Sequence, residues 1–157
     1  MVAQQNEDHP DVIAPPPLIF IGCAVIGTIA HLFFPVRVLR HPMSLLIGVL
    51  LALASMALAI WAVRVMQAAG TNVRPDRPSL TLVKAGPYRF TRNPMYLSLC
   101  LLQLTIGFFL DGWIPVLFAL VLAFVLHFGV ILREESYLER KFGEEYLSFK
   151  RRVPRWL

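Results

Sequence analysis

The chain has 157 residues, of which 57% are apolar and 16% charged, and its mean hydropathy is +0.61. A soluble domain is typically about half apolar and about a quarter charged, so this composition argues against a soluble enzyme. At roughly 20 residues per membrane crossing, four crossings consume about half the chain, which argues equally against an anchor carrying a separate catalytic domain. The net charge is +5, and on such a chain the placement of cations speaks to topology rather than to nucleic acid.

Residues 1–17 form a polar N-terminal tail that carries Glu7, Asp8 and Asp11, has no Lys or Arg, and ends in Pro15-Pro16-Pro17. Without a basic start it does not read as a secretory signal, and the first apolar run is expected to be retained. Residues 18–157 read as a single domain with four apolar runs: 18–36, with His31 and Pro35 inside it; 44–63, free of charge; 95–110; and 112–132. The third run has 16 residues. At a rise of about 1.5 Å per residue it spans about 24 Å, less than the roughly 30 Å hydrocarbon core. It is therefore expected to start in the interface or to be shielded by protein. Asp111 and Gly112 alone join it to the fourth run, so the two form a tight helical hairpin. The expected fold is all-α, a polytopic membrane bundle of about four transmembrane helices.

Two basic residues, Arg37 and Arg40, lie between the first and second runs, six between the second and third, and seven after Leu132. With four crossings, 13 cations share one side with both termini against two on the other. The positive-inside rule makes that side cytosolic, in a bacterial inner membrane. The first span alone votes the other way, because its N-terminal flank is acidic. The tail after Leu132 repeats Leu138, Phe142, Tyr146, Phe149 and Val153 at three or four residues, which predicts an amphipathic interfacial helix lying on lipid.

Chemistry has few places to reside. Cys23 and Cys100 sit in apolar runs and read as free thiols, and His9, His31, His41 and His127 have no ligand spacing, so no metal is expected. Neither a dinucleotide fingerprint nor a P-loop is present. Two segments stand out. The first, GPYRFTRNPMY (86–96), packs turn formers, aromatics and cations at the start of the third run. Asn93-Pro94 favours a turn leading into a helix. The second is His127 to Glu135, where His127 and Glu134 are seven residues apart, two turns along one helix face.

These motifs, GPYRFTRNPMY followed one hairpin later by REESYLERKFGEEYLSFKRRVPRWL, resemble the membrane methyltransferases of the isoprenylcysteine carboxyl methyltransferase and phospholipid methyltransferase superfamily. The resemblance covers roughly residues 70–157. It implies S-adenosylmethionine as methyl donor, held between the second loop, the hairpin and the C-terminal segment. Carried over by position, the cofactor contacts fall on Leu80, Thr81, Leu82, Val83, Tyr88, Asn93, Pro94, Met95, Tyr96 and Glu134. Glu134 is then the anion for the cofactor's ammonium, and Tyr88 and Tyr96 flank the sulfonium. Arg89 and Arg92 are candidates for a cofactor carboxylate or a substrate phosphate, or simply anchor the helix.

Two departures bear on the substrate. Asn93 stands where the superfamily commonly has His, and Asn cannot shuttle a proton. Val130 stands where the prenylcysteine enzymes have a substrate-carboxylate arginine; Arg133 is the neighbouring candidate, about 80 degrees or more away on a 3.6-residue helix. The expected reaction moves a methyl group to a lipophilic acceptor that arrives from the bilayer. A carboxylate acceptor is already anionic at pH 7, whereas for an amine His127 or Glu135 is the candidate base. The rival readings are a sterol-type membrane reductase using NADPH and a non-catalytic polytopic accessory or lipid-binding protein.

Overall fold

The computed structural model describes residues 10–39, 42–73 and 77–157. Glu7, Asp8 and His9 of the tail, Arg40 and His41 of the first connection and Arg74 of the second lie outside the described residues. The helices are α1 (Pro16–Phe33), α2 (Met43–Ala68), α3 (Pro94–Phe109), α4 (Trp113–Leu126), α5 (Leu132–Phe142) and α6 (Glu144–Arg152), with a 3₁₀ turn at Gly86–Arg89. A π turn, His127–Ile131, joins α4 to α5, so Trp113–Phe142 is one rod of 30 residues.

Prolines set the helix starts. Pro16 and Pro94 occupy the first turns of α1 and α3, where a missing N–H costs no intrahelical bond. α1 ends at Phe33, short of the end of its apolar run, because Pro35 follows and cannot continue it. α2 runs past its apolar stretch to Ala68 and stops before Gly70, at φ +68°.

α1, α2 and the α4–α5 rod are long and apolar enough to cross a membrane, and α3 is shorter. Their outer faces expose Leu46, Leu53, Leu120 and Phe124 among many large apolar side chains, a surface suited to lipid and not to water. The chain is an integral membrane protein. α3 is the inner helix, packed between α2 and α4, and α4 in turn packs on α1. Ser55 Oγ donates to the Ser98 carbonyl at 2.8 Å, Ser44 Oγ to the Phe108 carbonyl at 2.5 Å, and Gln103 Nε2 to the Pro115 carbonyl at 3.1 Å. Such bridges and small residues hold helices together where lipid supplies no hydrophobic drive. Protein on both sides thus shields the short third helix.

The bundle has two distinct ends. At one, Trp113 N–H donates to the Val36 carbonyl at 2.9 Å, and the Asp111 carboxylate accepts the Leu39 and Val38 N–H groups at 3.0 and 3.2 Å. The Leu39 N–H, above all, holds the Asp111 carboxyl below the usual range. At the other end, Ile13 N–H donates to the Gly129 carbonyl at 3.2 Å and Arg133 Nη1 to the Asp11 carbonyl at 2.7 Å. The N-terminal segment therefore shares that end with the long α2–α3 connection and the C-terminal segment, the arrangement that four traverses of the bundle require.

The C-terminal stripe exists but is split, with α5 and α6 separated at Gly143 (φ +52°). Its partner differs from expectation: Tyr146, Phe149 and Val153 pack on Ala62 of α2 and on Val83 and Tyr88, not on lipid. The break at Gly143 redirects α6 onto the 82–88 segment. That segment rests on α2 through Gly86, which sits at φ +58° and whose added Cβ would come within 2.7 Å of Val65 Cγ2. Gly86→Ala is expected to destabilise the protein by about 1–3 kcal/mol through backbone strain, read as a lower unfolding midpoint in detergent. An unchanged midpoint would mean that neither the positive φ of the turn nor its close approach to Val65 of α2 is required.

Candidate active site

The end that gathers both terminal segments holds a cavity. Its walls are Thr71, Asn72 and Thr81–Val83 of the long connection, Tyr88 of the 3₁₀ turn, Arg92–Tyr96 at the start of α3, Glu134–Leu138 of α5 except Ser136, and Tyr146 and Phe149 of α6. The connection is folded by its own side chains. Thr71 Oγ1 accepts the N–H groups of Leu80 and Thr81 at 2.9 and 3.4 Å, and Asn72 Nδ2 donates to the Pro78 carbonyl at 2.8 Å. The Tyr137 hydroxyl accepts the Ser79 N–H at 3.1 Å and fastens the loop to α5.

The start of α3 is laced to the C-terminal segment. Arg92 N–H donates to the Pro154 carbonyl at 3.0 Å, and the Arg155 carbonyl accepts Asn93 Nδ2 at 2.9 Å and Thr91 Oγ1 at 3.1 Å. Asn93 therefore spends its amide on the tail and does not cap its own helix.

Two adjacent glutamates are treated differently. Glu135 is buried and accepts Arg155 Nε and Nη2 at 2.7 and 2.8 Å, with Arg92 Nη1 at 2.8 Å and Lys150 Nζ at 3.8 Å. Glu134 Oε1 accepts the Tyr96 hydroxyl at 2.5 Å, and no cation among the described residues pairs with it. Beside it the buried Tyr88 hydroxyl has no partner among the described residues. Burial, then the Glu134 charge, hold the Tyr88 phenol well above its ordinary range, so it keeps its proton and remains a donor. A carboxyl group with no cation among the described residues, next to two tyrosine rings, one with a hydroxyl unpartnered among those residues, has the chemistry to receive an organic cation with hydrogen-bonding groups.

Of the residues expected at the cofactor site, Thr81, Leu82, Val83, Tyr88, Asn93, Pro94, Met95, Tyr96 and Glu134 line this one cavity. Leu80 does not; it is exposed, and its N–H is spent on Thr71. Arg92 is in the wall, whereas Arg89 is exposed in a separate shallow groove with Val65, Ala69 and Lys84. Glu135 lines the cavity but is bound by its three cations. His127 and Arg133 lie outside the wall. Arg133 is exposed and holds Asp11, and the His127 ring meets Trp156 Nε1 and Arg155 Nη1, each at 3.3 Å. The π turn is the reason: Leu132 N–H reaches the His127 carbonyl, five residues back, and this wider turn removes His127 and Glu134 from a common face. Val130 is fully buried in the core beside Tyr96 and Leu126.

Sequence reasoning missed Thr71, Asn72, Tyr137 and Arg155. Asn72 and Thr71 are ordinary turn residues in composition, and Arg155 looks like one more cation of a basic tail. Tyr146 was visible only as a member of the apolar stripe.

Comparison with known proteins agrees with the motif resemblance. Residues 43–145 match the family model for phospholipid methyltransferase. A protein of Haemophilus influenzae described as an uncharacterized protein is 43% identical over 63 residues, which is 40% of this chain and the whole of that protein. No solved structure matches the chain. The matched stretch spans α2 through α5, more than half of the chain and most of the cavity wall, and the chain belongs to the phospholipid methyltransferase family.

Proposed function

We propose that the chain is an S-adenosylmethionine-dependent membrane methyltransferase acting on a lipophilic acceptor, an amine or carboxylate of a lipid, isoprenoid or prenylated substrate. Family membership supports methyl transfer in general. The observation that carries the choice of donor is Glu134, a cavity carboxylate with no cation among the described residues, beside the unpartnered Tyr88 hydroxyl.

The donor set fits such a cofactor, which when bound supplies an electrophilic methyl group on a sulfonium sulfur. Leu82 and Val83 give an apolar slot with backbone groups for a purine, and Glu134 accepts from an amino-acid ammonium. The Tyr96 hydroxyl orients that carboxylate, and the rings of Tyr88 and Tyr96 favour positive charge near their faces. With Glu135 committed to Arg92 and Arg155, and His127 and Arg133 outside the wall, the cavity offers little acid–base help. Its contribution is proximity and orientation. This suits an acceptor that reaches the site unprotonated, such as a carboxylate or a neutral amine.

The cavity end also carries the bulk of the positive charge, which supports cytosolic termini and an inner-membrane location. A reporter fused after Leu157 is expected to be active in the cytosol; periplasmic activity would reverse the orientation. Glu134→Gln should weaken binding of labelled S-adenosylmethionine by about tenfold or more, the scale of a lost charged hydrogen bond, with folded yield unchanged. Native affinity in that variant would remove Glu134 from the cofactor site.

A further inference from the structure

The contacts of Arg155 join the start of α3, α5 and the π turn, although the residue stands two positions from the end of the chain. Its carbonyl holds Asn93 and Thr91 at the start of α3. Its guanidinium grips both oxygens of Glu135 on α5, and its Nη1 lies 3.3 Å from His127 Nε2 at the head of the π turn. The next residue, Trp156, donates its indole N–H to His127 Nδ1 at 3.3 Å. An indole N–H and a guanidinium only donate, and a neutral imidazole has one acceptor nitrogen, so the ring accepts from one of the two at a time. In this arrangement His127 is an anchor for the tail and not a base.

We propose that Arg155 is a positioning residue of the cavity: by neutralising and fixing Glu135 it sets the first turn of α5, which leaves Glu134 as the carboxylate open to a ligand. The two glutamates are neighbours on one helix turn, and Glu135 is 5% exposed. Removing its two-pronged partner leaves a buried charge held by Arg92 at one point and by Lys150 at 3.8 Å. Breaking a buried pair in this way costs far more than replacing both partners, and the turn that presents Glu134 is the part free to rearrange. The effect of Arg155 therefore runs through Glu135, and deleting the Glu135 charge relieves part of it.

The ligand arm of the test rests on the methyl-donor reading; the exchange arm does not. Arg155→Gln, Arg155→Lys and the double variant Glu135→Gln/Arg155→Gln are compared with the native chain in detergent. Equilibrium binding of S-adenosylmethionine and of S-adenosylhomocysteine is measured, together with amide hydrogen exchange of residues 132–138 without ligand. Arg155→Gln is expected to weaken both ligands about tenfold or more and to speed exchange in that segment. The double variant is expected to recover part of the loss on both readouts and no more, because Arg92 and Lys150 then lack the Glu135 anion; independent sites do not show such a coupling. Arg155→Lys, which keeps the charge and loses the fork, should fall between. It carries the same comparison if Arg155→Gln does not accumulate. Native behaviour of Arg155→Gln, or a double variant no better than the single one, overturns the proposal. A native chain that binds neither ligand overturns the methyl-donor reading, and the exchange pattern still decides the role of Arg155.

Discussion

A single buried carboxylate, Glu135, ties together the end of the molecule where chemistry is possible. Arg92 comes to it from the start of α3, Lys150 from α6 and Arg155 from beyond α6. Burying an ion pair costs desolvation that only good geometry and further hydrogen bonds offset. Here the two-pronged grip of Arg155 and the added contact of Arg92 meet that condition. Glu135 also draws the local cations to itself, so the adjacent Glu134 is left without a partner cation among the described residues and is open to whatever enters the cavity.

The membrane makes this economy necessary. Helices spend the chain on crossing lipid, and α3 has to lie inside the bundle because it is short. Its inner position places Tyr96 and Asn93, both on its first turn or cap, against α5 and the C-terminal segment. The cavity is therefore made of connections and helix ends, with each wall fastened by a neighbour: Thr71 to the 80–81 backbone, Tyr137 to Ser79, and Arg155 to the start of α3.

Much of this was legible in the sequence. Apolar runs located the helices because hydrocarbon demands length, and four runs bring the N-terminal segment, the long connection and the C-terminal segment to one end of the bundle. The GPYRFTRNPMY stretch marked the start of α3 because Gly86, Pro87 and Pro94 each impose backbone geometry. The illegible features are long-range. The π turn packs its Gly129 against Ile13 of a distant segment, and no local spacing announces the extra residue in the turn, so regular helical spacing puts His127 and Glu134 on one face. The apolar stripe from Leu138 to Val153 was correct in period. Period alone cannot tell a lipid surface from a protein one, and here Ala62, Val83 and Tyr88 cover it. Arg155 acts on residues 20 to 64 positions away, beyond the reach of any local pattern.

The most direct measurement gives the purified chain, in lipid nanodiscs, methyl-labelled S-adenosylmethionine and a total lipid extract, then follows the label into an extractable lipophilic product. Transfer by the native chain and its loss in Glu134→Gln is the predicted result. A native chain that binds the cofactor yet labels no lipophilic molecule would contradict it.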